Sequence, residues 1–318
     1  MRRRELLLSG LGAGSVATIA APAIAQSMPE VKWRLTSSFP KSLDTIFGTA
    51  QMFTKFLAEA TDGRFQIQPF AAGEIVPGLQ ALDAVSSGAL ECCHTPTYFY
   101  NGKEATLGLG TGLPFGPNAR LQHSWWHFGG GEAIINEALA KFNVISFAAG
   151  NSGTQMGGWF RKEIHTVEDL KGLKFRIGGT GGAVLSRLGV VPQQIAPGDI
   201  YPALEKGTID AVEFVGPHDD EKLGFNKVAK YYYYPGFWEG GAMLHLCVNI
   251  EQWNRLPKHY QAAFRQAAET ANNWMLAKYD AVNAPALKRL LSKGAELRPF
   301  SQPIIDAAKT VDDWLKDD

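Results

Sequence analysis

Arg176 ends the apolar run Leu173-Lys174-Phe175-Arg176-Ile177 and stands directly before Gly178-Gly179. A guanidinium where a strand enters a glycine-rich turn offers a carboxylate a planar, two-pronged fork. Glycines beside it let a ligand approach the backbone closely. That chemistry suits holding a small organic acid; the competing role is a structural ion pair, for instance with Asp199 or Glu205. Glu213 ends a second apolar run, Ala211-Val212-Glu213-Phe214-Val215. A carboxylate there must be paired, solvated in a cleft or bound to a metal ion. Tyr98 and Tyr100 follow a third strand end, and both are candidates to donate a phenol to the ligand, Tyr98 being preferred. Phe39, with Ser38 and Pro40, follows the first strand and is expected to line the wall.

Other chemistries find little support. Gly178–Gly182 lacks the lysine and hydroxyl ending of a phosphate loop and the spacing of a dinucleotide fingerprint. The histidines include no H-E-x-x-H, and Ser152-Gly153 is not a nucleophile elbow. Three cysteines, Cys92, Cys93 and Cys247, argue by number and spacing against a disulfide framework and a cysteine zinc site. They read as small buried hydrophobes.

The elements that must position these residues alternate between strand and helix. Val31–Thr36, Phe65–Phe70 and Leu90–His94 read as strands, separated by helices at Thr45–Ala60 and Leu79–Ser86. The layout recurs with strands at 174–177 and 209–215 and helices at 182–188 and 200–206. Such alternation predicts an α/β fold with parallel sheets, arranged as two similar Rossmann-like lobes around a central cleft. Met243–Asn249 is one more strand. Lys258–Lys293 is helical with a break expected at Asn283–Pro285, and a last helix covers Ile304–Leu315. The tyrosine run 231–234 reads as an interface or an alternating strand, and Trp125-Trp126 as helix core. The divisions expected are 26–150 for lobe 1, 151–240 for lobe 2, and 241–318 for a crossing strand and the long C-terminal helices shared between them.

The N-terminus carries Arg2-Arg3-Arg4, an apolar run from Leu6 to Ala21, and Ala23-Ile24-Ala25. This is the n-region, h-region and A-x-A site of a signal peptide, 1–25, and the arginine pair fits twin-arginine export as well as the general route. Its removal leaves 293 residues with 28 basic and 30 acidic side chains, a formal charge of −2. No basic surplus exists to meet phosphates, so no nucleic-acid partner is expected.

Four motifs occur in order: Asn151-Ser152-Gly153-Thr154-Gln155-Met156-Gly157-Gly158-Trp159-Phe160, Lys174-Phe175-Arg176-Ile177-Gly178-Gly179, Ala211-Val212-Glu213-Phe214-Val215-Gly216-Pro217 and Tyr234-Pro235-Gly236-Phe237-Trp238-Glu239. Together they resemble the periplasmic solute-binding subunits of TRAP transporters, in the branch that binds 2-oxo and 2-hydroxy acids with a metal ion. The resemblance runs from about Val31 to about Ala308. It implies a periplasmic receptor working with integral-membrane TRAP subunits, without membrane insertion of its own. It implies that Arg176 clamps the substrate carboxylate, and that a sodium or calcium ion is held by the Gln155 side chain, Glu213 and the Phe214 carbonyl. Glu239 is a further candidate ligand. Without the resemblance, Gln155 would read as a strand-end cap. The family's receptors usually continue past a stretch like Phe300–Lys316 into a helix exchanged between subunits; this chain ends at Asp318, so a monomer or weak dimer is expected.

Three function classes follow: a transport receptor, a receptor docking to a sensor protein, and a periplasmic metal-dependent lyase. The lyase needs a general base, and Glu213, the best candidate, is engaged by the metal in this reading.

Overall fold

A computed structural model describes residues 28–317, with side chains to residue 311; the signal peptide lies outside the described residues. The first half supplies β1 (Val31–Ser37), α1 (Ile46–Ala60), β2 (Phe65–Phe70), α2 (Ala81–Ser86), β3 (Cys92–Thr95), α3 (Ala119–Phe128), α4 (Gly131–Ala140) and β4 (Val144–Asn151). Next come β5 (Gly158–Phe160), β6 (Lys174–Arg176), α5 (Gly179–Arg187), β7 (Val191–Gln193), α6 (Ile200–Glu205), β8 (Ala211–Val212), α7 (Pro217–Leu223) and β9 (Tyr231–Tyr234). The chain closes with β10 (Met243–Asn249), α8 (Ile250–Arg255), α9 (Lys258–Ser292), β11 (Glu296–Pro299) and α10 (Gln302–Asp317).

Two sheets result, ordered β2-β1-β3-β10-β4 and β11-β9-β5-β8-β6-β7. The sequence predicts parallel sheets, and β1 does pair in parallel with β2 and β3, as β6 does with β7 and β8. Both sheets are nonetheless mixed. β10 returns from the second sheet and runs antiparallel between β3 and β4, and β5 runs antiparallel to β8 and β9. All seven residues of β10 are buried, because a central strand is covered on both faces. The tyrosine run is β9, and its two faces pack differently. Tyr232 stacks on Trp159 at 4.0 Å, while Tyr233 meets Phe160 edge-on at 4.9 Å.

The expected break at Asn283–Pro285 does not occur: α9 continues for 35 residues, about 52 Å at 1.5 Å per residue. Pro285 removes one N–H from the ladder, a loss of about 3 kcal/mol in a helix interior. Ala281, whose carbonyl loses that bond, and Pro285 both face outward, where water can take the carbonyl. Burial of Tyr279, Ala286 and Leu290 on the opposite face holds the helix together. One apolar cluster joins Phe39, Leu43 and Phe47 from the first sheet's side to Trp159, Leu204 and Val212 from the second, with Met275 and Tyr279 of α9 between them. The two halves are therefore closed on each other. Among the described residues no helix is long and apolar enough to cross a membrane. The three cysteines are free and buried.

Candidate functional site

The parallel register sets Arg176 beside Val212, so the residue after Val212, Glu213, emerges at the same sheet edge as the guanidinium. Arg176 is 1% exposed. Its Nε donates to the Ile195 carbonyl at 3.3 Å, and its Nη1 to the Glu213 carbonyl at 2.6 Å. Glu213 Oε2 lies 3.7 Å from Nη1. The guanidinium carbon sits 5.4 Å from the centre of the Phe214 ring. The alternative ion pairs with Asp199 and Glu205 do not form. Nη2, although buried, donates to nothing among the described residues. A buried charged donor left unpaired carries a desolvation penalty of about 1–3 kcal/mol or more. These backbone bonds aim the fork, and the free prong is the part a ligand carboxylate can take.

Gln155 follows β4 and stands over the same edge. One end of its amide lies 2.8 Å from Ser152 Oγ; the other lies 2.9 Å from Glu213 Oε1 and 3.2 Å from Glu239 Oε1. The amide can serve in two ways. With nitrogen inward it donates to both carboxylates. With oxygen inward, three oxygens converge and need a proton or a cation between them. The donor set is hard oxygen, suited to sodium, calcium or magnesium. Ser152, which also accepts from the Ala242 N–H at 2.8 Å, fixes the amide's outer end. No donor takes the Phe214 carbonyl among the described residues. These residues thus fit a bound cation.

Burial dominates the electrostatics. It pushes Glu213 well above the ordinary carboxylate range, helped by Glu239 and opposed by Arg176. It pushes Glu239 up to about 7, against the pull of Arg176 and the Gln155 amide. Two carboxylates packed together hold protons readily, and a cation can replace those protons.

The cavity wall contains Phe39, Ile46, Tyr98, Gln155, Phe214 and Met275. Tyr98 reaches across from the first sheet and packs on the turn after β6. A Cβ at Gly178 would stand 2.2 Å from Tyr98 Cε2, so only glycine admits the ring. Burial raises the Tyr98 phenol, and Glu239 and Glu213 raise it further. It is therefore a neutral donor. Tyr100 is a correction. Its hydroxyl accepts from the Leu82 N–H and bonds Thr95 Oγ1, both at 3.2 Å, inside the packing behind the first sheet. Those two bonds hold the Tyr100 hydroxyl against Leu82 and Thr95.

The structure thus brings together Arg176, Gln155, Tyr98, Phe39, Glu213, Phe214 and Glu239. Sequence reasoning missed Ser152 as the brace of Gln155, and Met275 and Ile46 in the wall. Met275 had no signal, since its place depends on how α9 lies across both sheets. Ser152 did have one: it stands three residues before Gln155 in the same motif. A larger depression of about 630 Å3, near Lys162, Glu163 and Asp169, lies away from this convergence of strand ends.

Residues 36–315 match the family described as bacterial extracellular solute-binding protein, family 7, DctP. A monocarboxylate 2-oxoacid-binding periplasmic protein of Nostoc sp. strain PCC 7120 is 53% identical over 319 residues, covering 98% of this chain and 87% of that protein. A TRAP transporter solute-binding protein from Bordetella bronchiseptica, with copurified calcium and picolinate in its active site, superposes with TM-score 0.89 at 53% identity, over 90% of this chain and 85% of the other. A TRAP periplasmic solute-binding protein from Pseudoalteromonas atlantica, with bound sodium and pyruvate, gives TM-score 0.87 at 38% identity, over 90% and 87%. With a match spanning nearly all of the described chain, this protein belongs to the bacterial extracellular solute-binding proteins of family 7, the receptors of TRAP transporters.

Proposed function

We propose that this receptor captures a small 2-oxo or 2-hydroxy monocarboxylate, of the size of pyruvate or lactate, in the periplasm and delivers it unchanged to the membrane subunits of a TRAP transporter. The observation that carries this reading is the buried, unpartnered Nη2 of Arg176, on a guanidinium whose Nη1 lies 3.7 Å from Glu213, which in turn meets Gln155 beside Glu239. The two N–H groups of Nη2 supply what a ligand carboxylate lacks in a closed cleft. Tyr98 donates a neutral phenol, and Phe39 and Phe214 close over the short carbon tail.

Charge balance leads to the cation. Arg176 with ionised Glu213 and Glu239 leaves one negative charge, and an acid anion adds a second. A dry cavity does not hold that excess. A divalent ion neutralises it, and so does one proton with a monovalent ion, which is why calcium and sodium both suit the site. Gln155, Glu213, the Phe214 carbonyl and Glu239 would hold the ion; when bound, it supplies positive charge to a carboxylate oxygen and the adjacent keto or hydroxyl oxygen. The relatives named for 2-oxo acids, picolinate with calcium and pyruvate with sodium support the same class. Picolinate and pyruvate share a carboxylate beside a second donor atom.

The cavity has room for about one water, about 20 Å3, so any acid must part its walls, and the shortest acid parts them least. Calorimetric titration with pyruvate, lactate and 2-oxooctanoate tests the reading. Pyruvate is expected to bind wild type best and to lose about 100-fold or more in Arg176→Ala, in line with truncating one partner of a buried charge pair. Equal affinity in Arg176→Ala and wild type would exclude the clamp.

A further inference from the structure

We infer that His123, His127 and Glu269 form a second metal site, of the zinc type, joining α3 to α9 and sharing no residue with the cleft's oxygen cluster. His123 and His127 are four residues apart on α3 and share one face. Their ring centroids are 5.3 Å apart. Glu269 comes from the facing turn of α9. One imidazole nitrogen of each histidine and a Glu269 carboxylate oxygen all lie within 4.8 Å of one another.

One pair already has the spacing of a shared ion, and side-chain rotation must draw His123 in from within 4.8 Å. A tetrahedral ion with ligands at about 2.0–2.1 Å holds them about 3.4 Å apart. His127 Nε2 and Glu269 Oε1 are 3.4 Å apart. That exceeds the usual range of an N–H···O bond, about 2.7–3.2 Å, and suits a shared ion. Arg265, the nearby cation that could have satisfied Glu269, pairs instead with Glu132 at 3.0 Å and stacks over Phe147 at 4.6 Å. The His123 ring stands edge-on to His127 and, as a neutral imidazole, has one nitrogen lone pair to give. The competitor for that lone pair is the Asn272 amide nitrogen, which faces His123 Nε2 because the Asn272 oxygen accepts from the Gly150 N–H at 2.8 Å. An ion bound there has one neutral hydrogen bond to displace.

Two imidazoles and one carboxylate select zinc or another late divalent transition metal over sodium or calcium. Three protein ligands leave a fourth position for water, beside a depression of about 240 Å3 bordered by Trp126, Arg265 and Gln266. The site uses no cysteine, so the cysteine count says nothing about it. Its effect would be to fix α3, whose Gln122 accepts from the Asn151 amide at 3.1 Å and thereby braces the segment leading to Ser152 and Gln155.

The test is zinc titration of the tag-free mature protein by calorimetry, with cobalt(II) absorption as the spectroscopic probe. One equivalent of zinc is expected to bind with a dissociation constant of about 10 μM or tighter, and cobalt should give the intense visible bands of a tetrahedral site. His127→Ala and Glu269→Gln are each expected to weaken zinc about tenfold or more and to abolish the bands. His127 has 31% of its side chain exposed, so His127→Ala should keep the chelator-treated melting temperature and the pyruvate affinity of wild type. Glu213→Gln separates the two sites, because it should leave the zinc equivalent in place. No zinc binding tighter than about 100 μM, or equal binding by wild type and His127→Ala, would overturn the proposal.

Discussion

The clamp role proposed for Arg176 rests on three surroundings that are fixed before any ligand arrives. The Ile195 and Glu213 carbonyls hold two of its nitrogens, the Phe214 ring lies against it, and the third nitrogen is left over. Its neighbours Glu213 and Glu239 set a pH dependence. Burial raises both, Glu239 to about 7 and Glu213 well above the ordinary carboxylate range, so as pH falls protons compete with a cation for these oxygens. Cation binding must release those protons. Calcium affinity, and pyruvate affinity measured through it, should therefore fall as pH drops below about 7, by up to about tenfold per pH unit for each proton released. Calcium titrations at pH 6 and pH 8 in buffers of different ionisation enthalpy check this; equal affinity with no proton release would contradict it. Arg176 and Glu213 were legible in the sequence because a charged residue at the end of an apolar strand has few ways to be satisfied. Gln155 was not legible from its own chemistry. An amide serves as a cap as readily as a ligand, and its position depends on Ser152 and on the returning segment at Ala242.

At the scale of elements, closure is made of contacts between the sheets. Tyr98 lies on Gly178, and the Gln194 amide donates to the Phe99 carbonyl at 2.9 Å. At the rim, Asp44, just before α1, meets His218 and Lys222 of α7 at 2.9 Å and Lys278 of α9 at 3.2 Å. Burial opposes the Asp44 charge, but the Lys222, His218 and Lys278 bonds outweigh it and hold the carboxyl well below its ordinary range. The Asp44 side chain is half exposed, so these pairs together contribute only about 1 kcal/mol. Asp44→Ala should accordingly release pyruvate several-fold faster with little change in on-rate, as read by stopped-flow displacement. An unchanged off-rate would show that the rim pairs do not help hold the closed state. Strand and helix alternation was readable because it depends on neighbours in sequence. The mixed direction of the sheets was not, since β10 enters the first sheet from residues nearly 150 positions after β3. Likewise Pro285 reads as a breaker locally, yet the buried side of α9 overrides it.

On the proposed reading, neither half of the molecule holds the ligand alone. Phe39 and Tyr98 come from the first sheet's side, and Arg176, Glu213 and Phe214 from the second. Gln155 stands on the connection between them, and Met275 is supplied by α9, which packs against both halves. A ligand contacting both halves favours the closed arrangement by its differential affinity for it. The central claim is that acid and cation bind as one unit across this closure. The most direct test is calorimetric titration of pyruvate into chelator-treated protein in sodium-free choline buffer, with and without calcium. Pyruvate should bind at least about tenfold more tightly with calcium present, and calcium should gain the same factor from pyruvate, because such coupling is reciprocal. The same pyruvate affinity in both buffers would contradict the account.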